Sequence, residues 1–256
     1  MKKSERPTQF YQHFTDDFVT SAQQNYQLPP DYHWLPERFY QKLWAKIVFV
    51  GVRLFAVVYC KFCLHIRFQN RHVLKSFRHQ GFVIYGNHTQ PQGDAFTPMI
   101  LLGWQGLNFI CSPANLGMPI LGKLVPYGGG LPIPNDIKHF GAFQQAIATI
   151  LQRQHALMIY PEAHVWPYYT QIRPFPLAAF HYPIANHCAS FCLTTTYQAS
   201  RWHRKPKIAV YVDGPFLPDA QLTPKTRQKQ LAAAVHQKME QRSSASTYEW
   251  IHYRKE

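Results

Sequence analysis

The sequence predicts an α/β domain, a mixed sheet flanked by helices, preceded by an amphipathic helical segment that contacts a membrane. Three observations carry this. Past residue 80, short β-type apolar runs alternate with stretches of helical period. Before them, an apolar run at 47–60 ("IVFVGVRLFAVVYC") is interrupted by Arg53 and bordered by basic residues. And a chain of 256 residues, 46% hydrophobic and 15% aromatic, has material for a substantial core, which excludes wholesale disorder. The predicted division is a polar N-terminal arm over 1–35, a membrane-contacting helical segment over 36–66, and the α/β domain over 67–256.

The elements follow in order. The run at 47–60 is shorter than the ~20 apolar residues that span a bilayer, and a central arginine adds about 2.5 to 3.5 kcal/mol to insertion. It is read as interfacial, with Lys42, Lys46, Arg53, Lys61 and Arg67 snorkelling toward anionic headgroups. "FVIYG" (82–86) is a strand, "AFTPMILLGW" (95–104) a helix and "LNFIC" (107–111) the next strand. "NLGMPILGKLVPY" reads as a short helix, and "GGGLPIP" (128–134) as a glycine-marked turn into a strand. "FGAFQQAIATILQRQ" has helical spacing at Phe143, Ile147, Ile150 and Leu151; "ALMIY" (156–160) is a strand ending in "PEAHVWP". "ASFCLTTTY" (189–197) and "KIAVYVDGP" (207–215) close the sheet. Thr223 caps the last helix, with Pro224 at its first position.

A net charge of +14 favours polyanionic partners: nucleic acid, anionic lipid surfaces or phosphorylated small molecules. No RNA- or DNA-binding signature accompanies the charge, so a nucleic-acid partner is not expected. The basic loop "SRWHRKPK" (200–207) is a candidate polyanion contact. Five cysteines and a charged, polar start suggest free thiols in a reducing cytosol. The pair Cys60 and Cys63 has a knuckle-like spacing but no second pair, and reads as packing.

Chemistry gathers beyond the carboxyl ends of strands in α/β domains. There the first strand delivers "GNHTQPQGD", with His88 and Asp94, and a later one delivers "PEAHVWP", with Glu162 and His164. A histidine of near-neutral pKa is a natural base for a hydroxyl, and a carboxylate can fix its tautomer and stabilise its imidazolium. His88 and Asp94 form such a candidate dyad. The aromatics Trp166, Tyr168 and Tyr169 suit either an interfacial loop or one folded on the domain's own surface.

Taken in order, "GNHTQPQGD", "GMPILGKLVPYGGGLPIPN", "YPEAHVWP" and "IRPFPLAAF" resemble the four blocks of the 1-acylglycerol-3-phosphate acyltransferase type of glycerolipid acyltransferases, over about residues 80–195. The resemblance implies transfer of a fatty acyl group from acyl-CoA or acyl-ACP to a lysophospholipid-like hydroxyl, in phospholipid biosynthesis, at the cytoplasmic face of the cell membrane, with neither cofactor nor metal. It makes His88 the base and Asp94 its orienting partner, and gives Glu162 a part in holding the acceptor. Gly128, Gly129 and Gly130 are candidate oxyanion donors.

Two departures accompany it. Five residues separate His88 from Asp94 where the family has four, and Gly93 is expected to absorb the extra one at positive φ. Asn135, and Ala163 with His164 and Val165, replace blocks that carry phosphate-binding arginines in the family. Arg173, Lys123 and His164 are the candidate substitutes. Three rivals remain: a metal-dependent hydrolase using His88, Asp94, Glu162 and His164, a nucleic-acid-binding module, and a catalytically inactive lipid-binding protein.

Overall fold

The computed structural model describes residues 6–19, 23–200 and 205–256. The centre of the basic loop at 200–207 lies outside the described residues. Strands β1 (Thr8–Tyr11), β2 (Arg67–Gln69), β3 (Phe82–Gly86), β4 (Leu107–Cys111), β5 (Gly130–Pro132), β6 (Ala156–Ile159), β7 (Ser190–Gln198), β8 (Lys207–Phe216) and β9 (His252–Lys255) alternate with helices α1 (Phe39–Val58), α2 (Gly93–Leu102), α3 (Phe140–Gln152), α4 (His181–Ala185) and α5 (Pro224–Ser243). Among the described residues the main sheet has the order β2-β8-β7-β3-β6-β4-β5. All its neighbours run parallel except the β7–β8 hairpin.

The period-2 pattern explains the layering. Val83 and Tyr85 of β3, with Leu157 and Ile159 of β6, face one core, filled by Phe143, Ile147 and Ile150 of α3 and Leu231, Val235 and Met239 of α5. Phe82, Ile84, Ala156 and Met158 face the other, closed by Met99, Leu101 and Leu102 of α2 and Ala56 of α1. Both faces are covered, so the central strands read as unbroken apolar runs. The Thr223 hydroxyl caps α5 by accepting from the Thr226 N–H at 3.3 Å.

Two expectations change. The predicted short helix over "NLGMPILGKLVPY" is instead two 3-10 turns, Pro113–Gly117 and Leu121–Lys123. And the apolar segment is longer than its 47–60 core. α1 continues through a π-helical turn, Tyr59–Cys63, into one helical stretch of 25 residues, within which an 18-residue window reaches a mean hydropathy of 1.9. At about 1.5 Å per residue it is long enough to cross a bilayer. Phe39, Leu43, Ile47, Leu54, Phe55 and Val58 are exposed along it, which makes it a candidate membrane-contacting segment. Arg53 does not snorkel: its Nη1 donates to the Met99 carbonyl and its guanidinium lies 4.6 Å from the Trp104 ring centroid. Cys60 is buried and Cys63 exposed, both on the π-helical turn.

The N-terminal arm is integrated into the domain. β1 pairs in parallel with β9, Thr8 opposite His252. Trp34 is buried against Phe143 and donates its indole N–H to the Pro132 carbonyl at 2.8 Å.

Candidate active site

β3 ends at Gly86 because its neighbours require it. A Cβ there would stand 2.4 Å from Met158 Cε and 2.6 Å from Tyr160 Cε1. The chain then leaves the sheet, but β7 runs on, and the Asn87 side chain stands in for the missing strand. Its amide accepts from the Thr195 N–H at 2.8 Å and donates to the Thr195 carbonyl at 3.0 Å. His88 follows. Its Nδ1 lies 2.8 Å from Asp94 Oδ2, with the His88 side chain 20% exposed and Asp94 buried. The same Asp94 oxygen accepts the Gln90 N–H at 2.9 Å. The imidazole stacks on Tyr160, centroids 4.3 Å apart and 17° from parallel. The Tyr160 hydroxyl donates to the Asp94 carbonyl at 2.6 Å, and burial raises its pKa well above the ordinary phenol value. Among the described residues, His88 Nε2 has no hydrogen-bond partner.

The fifth intervening residue is accommodated without positive φ at Gly93. That glycine is the first residue of α2, and the extra length is taken up in the Pro91–Gln92 turn before it. A Cβ on Gly93 would be a tight fit, 3.1 Å from both Gln90 Cβ and Leu64 Cδ1.

Glu162, beyond the adjacent strand β6, is sealed inside the protein rather than facing an acceptor. Its Oε2 accepts the His88 N–H at 2.9 Å and Arg173 Nη2 at 3.0 Å, and its Oε1 accepts the Arg173 N–H at 2.9 Å. Arg173, 1% exposed, also donates to the Phe14 carbonyl at 3.1 Å and to the His164 carbonyl, and lies over the Trp166 ring. It is therefore an internal counter-ion, not a surface cation. The Trp166 and Tyr168 N–H groups bond the His88 and Thr89 carbonyls at 3.0 and 2.8 Å. The "PEAHVWP" segment thus splints the His88 loop from one side. From the other, the Tyr197 hydroxyl of β7 bonds Thr89 Oγ1 and Gln90 Nε2, both at 2.7 Å.

Several candidates lie elsewhere. His164 turns to Asp17 of the arm, Nδ1 to Oδ2 3.4 Å. Asn135 accepts the Leu28 N–H at 2.9 Å and donates to the Tyr26 carbonyl, so it pins the arm. Lys123 is exposed on its 3-10 turn. The Gly128, Gly129 and Gly130 N–H groups are already given to Leu124, Pro126 and Val125 carbonyls. They also enter β5 at its amino end, whereas His88 leaves β3 at its carboxyl end and the intervening pairs are parallel. These amides are therefore not oxyanion donors for His88. Trp166 is fully buried under Tyr11, Phe18, Tyr169 and Tyr253, so this aromatic loop is folded onto the domain itself.

The sequence reading missed Tyr160, Tyr197, Thr89 and Gln90. Tyr160 was legible as the residue ending the "ALMIY" strand; Tyr197 is more than 100 positions from its partners and carried no local signal.

Chemically, the site offers an oriented imidazole with one free ring nitrogen at the mouth of the sheet. It does not offer a ligand set for a metal-dependent hydrolase. Glu162 is consumed by Arg173 and the loop backbone, and His164 faces Asp17. Among the described residues no group of three or more His, Cys, Asp or Glu side chains converges.

No protein-family profile matches the sequence, and no curated protein matches it significantly. A match in fold comes from the crystal structure of the 1-acyl-sn-glycerophosphate (LPA) acyltransferase PlsC from Thermotoga maritima. It covers 83% of this chain and 86% of that one, with a TM-score of 0.56 at 14% identity. The protein therefore has the fold of a 1-acyl-sn-glycerophosphate acyltransferase, carried behind an apolar N-terminal helix.

Proposed function

We propose that the protein is a membrane-associated acyltransferase that moves a fatty acyl group from an acyl thioester, acyl-CoA or acyl-ACP, to the hydroxyl of a lysophospholipid-like acceptor. The observation that carries this is the 2.8 Å contact between His88 Nδ1 and buried Asp94, which leaves Nε2 unpartnered among the described residues at the carboxyl end of β3. In this reading Nε2 removes the hydroxyl proton as the oxygen attacks the thioester carbonyl. The tetrahedral adduct collapses by breaking the C–S bond, and the imidazolium returns the proton to the departing thiolate. Asp94 holds the proton on Nδ1 and stabilises the imidazolium. The shared fold supports the reaction class, and the apolar face of α1 supports work at a membrane surface; the cytoplasmic side is part of the proposal.

Arg173 is buried against Glu162, whereas the more exposed His164 and Asn135 face Asp17 and the Leu28 and Tyr26 backbone. The acceptor headgroup is accordingly read from a panel. Purified protein is incubated with labelled acyl-CoA or acyl-ACP and with lysophosphatidate or diester lysophospholipids. Labelled diacyl product is expected, falling at least about 10²-fold in His88→Ala. Product formed equally well by His88→Ala, or none from any donor and acceptor pair, overturns the assignment.

A further inference from the structure

At the opposite end of the sheet from His88 lies a cavity of about 310 Å³, rimmed by Arg71, His72, Lys75, Arg78 and Gln105. One wall is the 3-10 helix Arg71–Phe77, which leads into β3. The other is the end of α2, which starts beside the dyad and runs about 15 Å away from it. The floor, Leu74, Leu101 and Leu102, is apolar and belongs to the core beneath. Gln105 is fixed by bonds to the Gln80 and Gln154 carbonyls at 3.0 and 2.9 Å. Among the described residues no carboxylate pairs with Arg71, His72, Lys75 or Arg78. The sequence explains why: between Glu37 and Asp94 there are nine lysines and arginines and no acidic residue. None of these groups serves the proposed chemistry.

We infer that this cavity binds the phosphate of an anionic phospholipid headgroup in the membrane that α1 contacts, and so fixes the domain's orientation on that surface. Unneutralised cations around a concavity select a phosphate. The apolar floor and position select a lipid over a free ion. α2 carries the floor and packs against α1, and the adjoining Trp104 is 69% exposed and held by Arg53 of α1. An exposed tryptophan beside a basic cavity and an exposed apolar helix is the layering of a membrane interface.

The test compares full-length wild type, Lys75→Gln/Arg78→Gln, and Lys225→Gln/Lys229→Gln, which removes the same charge from the exposed start of α5. Binding is measured to phosphatidylglycerol-containing and to pure phosphatidylcholine vesicles. Roughly fivefold is expected per cation near the surface, so the cavity variant should lose about 25-fold on the anionic vesicles. The α5 variant should stay within about threefold, and all three should bind phosphatidylcholine alike. Equal losses in both variants, or none, overturn the inference. So does displacement of wild type by millimolar inorganic phosphate at constant ionic strength, which would assign the cavity to a free anion. Because the readout is binding, its failure is distinct from failure of the proposed reaction.

Discussion

Glu162→Gln is expected to damage stability and turnover by separable routes. The carboxylate is buried and accepts three hydrogen bonds, two from backbone N–H groups, His88 and Arg173, and one from the Arg173 guanidinium. The amide keeps the shape but has one acceptor oxygen, so a buried N–H loses its partner, at about 1–3 kcal/mol. It also strands the Arg173 charge, and removing one partner of a buried ion pair costs about 3–5 kcal/mol. For a chain of this size each kcal/mol moves Tm by roughly 2–4 °C, so a fall of at least about 8 °C is expected in a thermal melt. Turnover should drop as well, because the single amide oxygen can serve the His88 N–H or the Arg173 N–H but not both, which loosens the splint around His88. The second substitution separates the routes. Arg173→Met added to Glu162→Gln removes the stranded charge and should restore several degrees, since apolar replacement of a buried pair is often neutral. It does not restore the second carboxylate oxygen that ties the residue 173 backbone to the His88 loop, so kcat should remain depressed in the double variant. A single variant that melts within about 2 °C of wild type at full activity refutes the positioning role. A double variant that recovers kcat along with Tm shows that Glu162 acts only through stability.

Asp94→Asn should lower kcat by roughly 10²- to 10⁴-fold in the labelled-transfer assay while leaving the fold intact, because the amide cannot hold the same tautomer of His88. Gly86→Ala forces a methyl toward Met158 Cε and the Tyr160 ring, at about 1–3 kcal/mol; Tyr160 should move off the imidazole, and kcat should fall with Tm. Trp166→Ala removes the ring under Tyr11, Phe18 and Tyr253, at about 3–5 kcal/mol; limited proteolysis should then cut within residues 6–19, where wild type resists. Burial pushes the thiols of Cys60, Cys111 and Cys188 up to about 12 and that of Cys192 higher still, so all four stay protonated at pH 8. Exposed Cys63 should therefore be the thiol that reacts with a disulfide reagent under native conditions.

Strands β3, β4, β6, β7 and β8, helices α3 and α5 and the His88–Asp94 pair were legible in the sequence because each is written locally. Apolar period, turn residues and a six-residue separation act within one element, and parallel βα units place strand ends where chemistry collects. β1, β2 and β9 were not legible: each is three or four residues long and at least half polar, and exists through a partner far along the chain. The same distinction runs through the site. Sequence alone determined the fold class, the pairing of His88 with Asp94 and the unbroken positive charge from Arg38 to Gly93. Tertiary structure decided what the other charges do. Glu162 and Arg173 are eleven residues apart and look free for a substrate, yet a buried carboxylate needs a buried cation and enough donors, and both find each other first. Whether a polar side chain serves a ligand or the protein depends on which partner reaches it in three dimensions, and the linear order of residues does not contain that competition.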